Sequence, residues 1–172
     1  MKKLLLVLSV FGATTFCGFA QTASSSKASG SPKLSIGIDG ALPTGSAGDF
    51  YSAGIGGSIK YEVPTAQNTF FTISGGYESF LYKSIYKIPG SRSSDSFVPL
   101  KAGIKYYTDG GLFLEAQAGI SIYTGTGSFT SFAYSPGIGY SFNGGLEVGA
   151  RYEAWVKDGT FGQAALRLAF RF

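Results

Sequence analysis

Charged residues fall on one side of alternating segments along this chain: Lys60, Glu62, Glu78, Lys101, Lys105, Glu115, Glu147, Arg151, Glu153, Arg167 and Arg171. Six are basic and five are acidic. Such a set admits two chemistries. It can line a passage or pocket that selects a charged solute, or it can form ion pairs that neutralise a narrow interior. The near-balance of sign favours the second, because a charge withdrawn from water must be matched. Counting back across Thr108–Leu112 sets Tyr107 opposite Phe113 and Lys105 opposite Glu115, which makes Lys105 and Glu115 an expected pair. Across Val156–Thr160, Trp155 faces Phe161, and Glu147 lies diagonal to both Arg167 and Arg171.

Other chemistries find little support. The chain has no histidine, which removes Ser-His-Asp triads, histidine general bases and histidine-bound metals. Serines are numerous, but no motif singles out a Ser-Lys arrangement. Gly54-x-Gly56 and Gly137-x-Gly139 lack the third glycine and the following helix of a dinucleotide site. Leu42-Pro43-Thr44-Gly45 does not precede a C-terminal tail as a sorting signal would. Neither a catalytic residue nor a cofactor or metal ligand is assigned, and no cofactor is expected. Lysines and arginines are scattered rather than clustered, so nucleic acid is not an expected partner.

The elements that must position these charges are strands. In the last segment Leu166, Leu168, Phe170 and Phe172 take one face, and Gln163, Arg167 and Arg171 take the other. That is the period of a β-strand. Similar alternation predicts strands over about 33–42, 51–63, 69–82, 96–107, 112–124, 130–142, 145–155 and 161–172, with no convincing helical period anywhere. Residues 1–20 read as a signal peptide: Lys2 and Lys3, an apolar run from Leu4 to Phe11, and Gly18-Phe19-Ala20 before the expected cut. Cys17, the sole cysteine, follows Phe16 rather than a small residue, so lipidation there is not expected. Residues 21–32 read as a flexible Ser/Ala-rich leader and 33–172 as one barrel domain.

Connections alternate. Pro64–Asn68, Thr108–Gly111 and Asn143–Gly144 are short, whereas Pro43–Phe50 and Lys83–Asp95 are long and Gly125–Phe129 and Val156–Thr160 modest. Transmembrane barrels have short periplasmic turns and longer external loops. The apolar face sorts by depth in the same way. Tyr61, Phe71, Tyr106, Tyr140, Phe142, Phe170 and Phe172 fall near the periplasmic ends, and Tyr51, Tyr77, Phe132, Tyr134 and Tyr152 near the external ends, with Ile, Leu, Val and Ala between. Aromatic rings prefer the headgroup level. The fold expected is all-β: an eight-stranded antiparallel up-and-down transmembrane β-barrel. A soluble sandwich core gives no reason for that sorting. The opposite face carries glycines such as Gly54, Gly103, Gly119 and Gly139 beside Phe70, Phe80, Phe97, Tyr107, Phe113, Tyr123 and Trp155. An interior of about eight strands is just wide enough for side chains to fill.

Leu42-Pro43-Thr44-Gly45 with Asp49, the run Gly54 to Glu62, Tyr134-Ser135-Pro136-Gly137-Ile138-Gly139-Tyr140, and Leu166 to Phe172 together resemble the small outer-membrane β-barrel domain family of Gram-negative bacteria. The resemblance spans essentially 33–172. It implies the barrel fold and the outer membrane, and no common activity. The terminal Phe172 resembles the C-terminal signal read by the barrel assembly machinery, which makes that machinery a partner during biogenesis and outer-membrane lipid the permanent surroundings. The expected role is structural or adhesive, exercised through external loops and without catalysis. The alternatives are a small-solute channel, a ligand-binding barrel or a lipid-modifying enzyme. The Lys83–Asp95 loop, with Lys83, Lys87 and Arg92 around Ile85, Tyr86 and Ile88, is the candidate contact for an extracellular partner.

Overall fold

The computed structural model describes residues 30–86 and 92–172. The signal peptide, the leader up to residue 29, and Lys87 and Ile88 of the long loop lie outside the described residues. Eight strands follow one another: β1 (Lys33–Thr44), β2 (Tyr51–Ala66), β3 (Thr69–Tyr82), β4 (Ser94–Tyr107), β5 (Leu112–Tyr123), β6 (Thr130–Ser141), β7 (Leu146–Val156) and β8 (Thr160–Arg171). Each pairs antiparallel with the next, and β8 returns to β1 with Ile38 opposite Leu168. The sheet is thus a closed barrel with no free edge, the condition for a sheet to sit in lipid without unpaired backbone groups.

Alternation decides which way each side chain points, and the result is inverted relative to a soluble protein. Ile38, Ile55, Ile104 and Leu166 are exposed, at 65%, 66%, 59% and 63%, while Lys105, Glu62 and Glu153 are fully buried. An exterior of contiguous Ile and Leu around a charged interior matches hydrocarbon outside, not water. The expected exterior rings at both ends, among them Tyr61, Tyr106, Tyr140, Phe170, Tyr77, Phe132 and Tyr152, are exposed as well. Interior glycines make room for large neighbours. A Cβ on Gly54 would lie 2.5 Å from the Phe80 ring, and one on Gly139 would lie 2.2 Å from Phe113 Cζ.

Strand spans follow the alternation closely, with four corrections. Asp95 belongs to β4 rather than to the long loop, since Phe80 pairs with it. Pro64 is not a turn residue: β2 continues through it to Ala66, and Asn68, at φ +60°, makes the turn. Tyr51 does not join the exterior ring, because an irregularity between Tyr51 and Ala53 shifts its parity and turns it inward. The strict alternation of loop lengths also fails once, because Val156 pairs with Thr160 and leaves only Lys157–Gly159 to connect β7 and β8. Two short helical turns, α1 (Ala47–Phe50) and a 3-10 turn (Ser84–Tyr86), sit in the two long loops at that same end. They are too short to leave a helical period.

Candidate functional site

The barrel interior gathers the charges into tiers between two layers of aromatic rings. At the long-loop end Phe80, Phe97, Trp155 and Phe161 pack together. Trp155 stacks on Phe161 at 5.1 Å between centroids, and Phe97 lies 4.7 Å from Trp155. At the end carrying the termini, Phe70, Tyr107 and Phe113 form a second layer. Lys33 Nζ lies 4.1 Å and 4.3 Å from the Phe70 and Tyr107 ring centroids. A cation over ring faces is favourable where water is scarce.

Below the first layer Arg151 is the hub. Its guanidinium reaches Asp39 at 2.6 Å, Glu78 at 2.9 Å and Glu153 at 2.9 Å. Glu153 also accepts from Lys101 and, at 2.8 Å, from Trp155 Nε1, so the upper tier is anchored to the aromatic layer. Gln163 donates to Glu78 at 3.2 Å. In the middle Lys60 pairs with Glu115 at 2.5 Å. Gln117 there donates to Thr72 and accepts from Ser74. Toward the termini Lys105 is fully buried between Glu62, at 2.7 Å, and Glu147, at 2.6 Å. Tyr107 donates to Glu62 at 2.8 Å. Arg167 donates to Ser58 and Ser35 and approaches Glu147 only to 3.6 Å. Arg171 donates to Ser141 and to the Tyr107 hydroxyl. A cavity of about 40 Å³ remains among these groups, bordered by Lys60, Glu115, Glu147, Arg151 and Arg167.

The Lys105–Glu115 ion pair expected from the sequence is replaced. The two residues do sit opposite each other, as do Tyr107 and Phe113, and Trp155 and Phe161. Yet Lys105 crosses the lumen to Glu62 and Glu147, and Glu115 turns to Lys60. In a narrow closed barrel a long side chain reaches other strands across the interior as easily as the neighbour beside it.

Two acidic residues escaped the sequence reading. Asp39 shares its parity with Ser35 and Gly37 on β1, so alternation would have found it. Its carboxylate accepts from Arg151 and from Ser58. Asp95 falls in the long loop by sequence and in β4 by structure. It accepts hydrogen bonds from three tyrosine hydroxyls: Tyr51 at 2.5 Å, Tyr82 at 2.6 Å and Tyr123 at 2.8 Å. That one carboxylate ties β2, β3, β4 and β5 together at the long-loop mouth. Beside it opens a cleft of about 400 Å³ lined by Tyr51, Phe129, Ser131, Trp155, Lys157 and Phe161. Among the described residues no group of His, Cys, Asp and Glu is arranged to hold a metal ion.

No family model matches this chain, and no curated protein does. Solved structures do. The chain is similar to the attachment invasion locus protein Ail of Yersinia pestis, at 17% identity and a TM-score of 0.56 over 82% of this chain and 97% of that one. A further structure of that protein, in complex with the heparin analogue sucrose octasulfate, matches at 18% identity over 82% of this chain and 97% of that one, with a TM-score of 0.51. A de novo designed transmembrane β-barrel matches at 14% identity and 0.52 over 81% of this chain and 95% of the design. Neisserial surface protein A matches at 14% identity and 0.50 over 81% and 95%. The chain has the fold of the small eight-stranded outer-membrane barrels.

Proposed function

We propose that this chain is an exported outer-membrane barrel with a filled, non-conducting interior, and that its work is done by the loops at its external end. The observation that carries the reading is the pair of aromatic layers at the two ends of a lumen in which each of the carboxylates Asp39, Glu62, Glu78, Glu115, Glu147 and Glu153 is paired with a cation. A conducting pore needs a continuous wetted path. Two packed ring layers and carboxylates committed to cations oppose one. Planar-bilayer recordings of the purified protein test this directly. Rare or no conductance steps are expected, and frequent large steps would overturn the filled interior.

The external end is assigned to the long loops, with the termini in the periplasm. There, exposed Phe50, Ile85 and Tyr86 cluster near Lys83, and Phe50 and Tyr86 lie 5.4 Å apart. A surface that joins apolar rings to basic groups suits adhesion to an anionic partner. The similarity to an attachment protein solved with a sulfated heparin analogue supports that direction. The role is non-enzymatic, in keeping with a chain that contains no histidine. Trypsin added to intact cells is expected to cut at Lys83 or Arg92 and to spare the buried Lys60 and Lys105. Cleavage only after the envelope is opened would reverse the topology.

A ligand-binding barrel is the second reading, favoured by the mouth cleft beside Trp155. Its volume falls within the range of small-molecule pockets. Trp155 is the only tryptophan, so a small molecule seated there would change the protein's intrinsic fluorescence, and a flat response across a compound panel would count against it.

A further inference from the structure

Three strand connections meet around the mouth cleft of about 400 Å³, and the rings they bring to it are held from behind. Phe161 is stacked on the buried Trp155, with 5.1 Å between centroids and 19° between planes. Trp155 Nε1 in turn donates to Glu153 in the upper ion-pair tier. Phe129 is stacked on Tyr123 at 5.0 Å, and Tyr51 on Tyr82 at 5.1 Å. The hydroxyls of Tyr51, Tyr82 and Tyr123 all donate to Asp95. One carboxylate therefore fixes the Tyr51 wall directly and the Phe129 wall through its stacked neighbour. Walls that are ordered beforehand spare a ligand the entropy of ordering them.

The polar groups between the rings define what fits. Lys157 Nζ lies 4.7 Å from the Phe129 centroid, Asp158 lines the cleft beside it, and Ser131 and Thr160 add hydroxyls. One cation and one carboxylate make the lining formally neutral. A strongly charged ligand of either sign meets a like charge there as well as an opposite one. A ligand made only of hydrocarbon would cover the ammonium, the carboxylate and the hydroxyls without replacing their hydrogen bonds to water. A pyranose answers both demands. Its C–H face lies on an aromatic ring, and the hydroxyls around its edge both donate and accept. The cleft's volume is near the small end of the range for ligand pockets and admits about one or two sugar rings.

We propose that the external mouth cleft is a saccharide site, taking a neutral pyranose against Phe161 with Lys157, Asp158 and the hydroxyls at its edge. The proposal rests on the ligand-binding reading of this cleft and names its ligand class. It leaves the lumen closed, because Phe80, Phe97 and Trp155 pack between the cleft and the ion-pair tiers. Sugar chains of the protein's own membrane and glycans on other surfaces offer the same chemistry.

Saturation-transfer NMR of the full barrel in phospholipid nanodiscs tests it. The probes are the methyl glycosides of glucose, galactose, mannose and N-acetylglucosamine, with benzoate and benzyl alcohol as anionic and apolar comparators. The signal counted is the part that Phe161→Ala removes, since that change takes away the ring platform. Asp158→Asn, on the exposed turn, keeps the rings and is expected to weaken the signal several-fold. Heat-modifiable gel mobility checks that both variants fold, and Asp158→Asn alone carries the test if Phe161→Ala does not. At least one glycoside is expected to receive saturation, strongest at the C–H protons of one ring face. A counted signal from benzoate or benzyl alcohol with none from any glycoside would refute the saccharide site and leave a ligand-binding cleft standing. Silence from every probe would refute both. Lipopolysaccharide added to the nanodisc separates the two sources. A glycoside signal lost to competition assigns the cleft to sugars of the same membrane, and a signal retained assigns it to a glycan from outside.

Discussion

Replacing Lys105 is the sharpest test of how the interior is held together. Its ammonium is fully buried, 2.7 Å from Glu62 and 2.6 Å from Glu147, and its Nζ lies 3.9 Å from the Phe113 ring centroid. Lys105→Met keeps the apolar stem against that ring and removes only the charge. Two carboxylates then share a tier with no direct cation, apart from Arg167 at 3.6 Å from Glu147. Removing one member of a buried pair costs about 3–5 kcal/mol, because the other is left uncompensated. Lys105→Met is therefore expected to lose about 3–5 kcal/mol of folding stability. Urea unfolding in phospholipid vesicles, followed by the fluorescence of Trp155 and by heat-modifiable gel mobility, measures it. The register makes a discriminating control possible. Glu115 lies directly opposite Lys105 on the neighbouring strand but pairs with Lys60. A double-mutant cycle of Lys105→Met with Glu62→Gln should give a coupling of about 1 kcal/mol or more, and the cycle with Glu115→Gln markedly less. Equal couplings, or a loss for Lys105→Met under about 0.5 kcal/mol, would refute the cross-lumen pairing.

Leu168 is exposed on the outer face opposite Ile38, and Leu168→Arg should destabilise the barrel in lipid by about 2–4 kcal/mol; an unchanged midpoint would count against a hydrocarbon-facing band. Asp95→Ala strips three tyrosine hydroxyls of their acceptor. It should speed amide exchange at the long-loop ends of β3 and β4 while leaving the opposite end protected, and uniform exchange along the strands would show that the tyrosine cluster is not a local latch. Phe172 is 69% exposed, and its backbone N–H donates to the Leu34 carbonyl. Deleting it should lower the yield of heat-modifiable barrel in the outer membrane, whereas full yield would make the terminal ring ordinary lipid-facing surface.

Much of this protein is legible in a period of two. Alternation along Leu166–Phe172 assigns each side chain to lipid or lumen before any strand is placed, because successive Cβ atoms point to opposite faces. The strand order and short hairpins follow from turn residues, and closure follows because an open sheet edge has no place in hydrocarbon. Where the period breaks locally, sequence reasoning loses its hold. One irregularity beside Tyr51 moves that ring from the exterior to the Asp95 cluster. Asp95 itself read as loop because it sits beside serines with no apolar neighbour to declare a face.

The pairing of charges lay beyond the sequence altogether. Parity says that Lys105, Glu115, Glu62 and Glu147 all point inward, and register says which two stand side by side. Neither says how far across the lumen a four-carbon stem will reach. That depends on barrel radius, strand tilt and the room left by glycines such as Gly139 beneath Phe113, which exist only once eight strands have closed. Alternation alone makes the interior charged and the exterior apolar. Once the barrel has closed, Arg151 gathers three carboxylates and Lys105 joins β2 to β7.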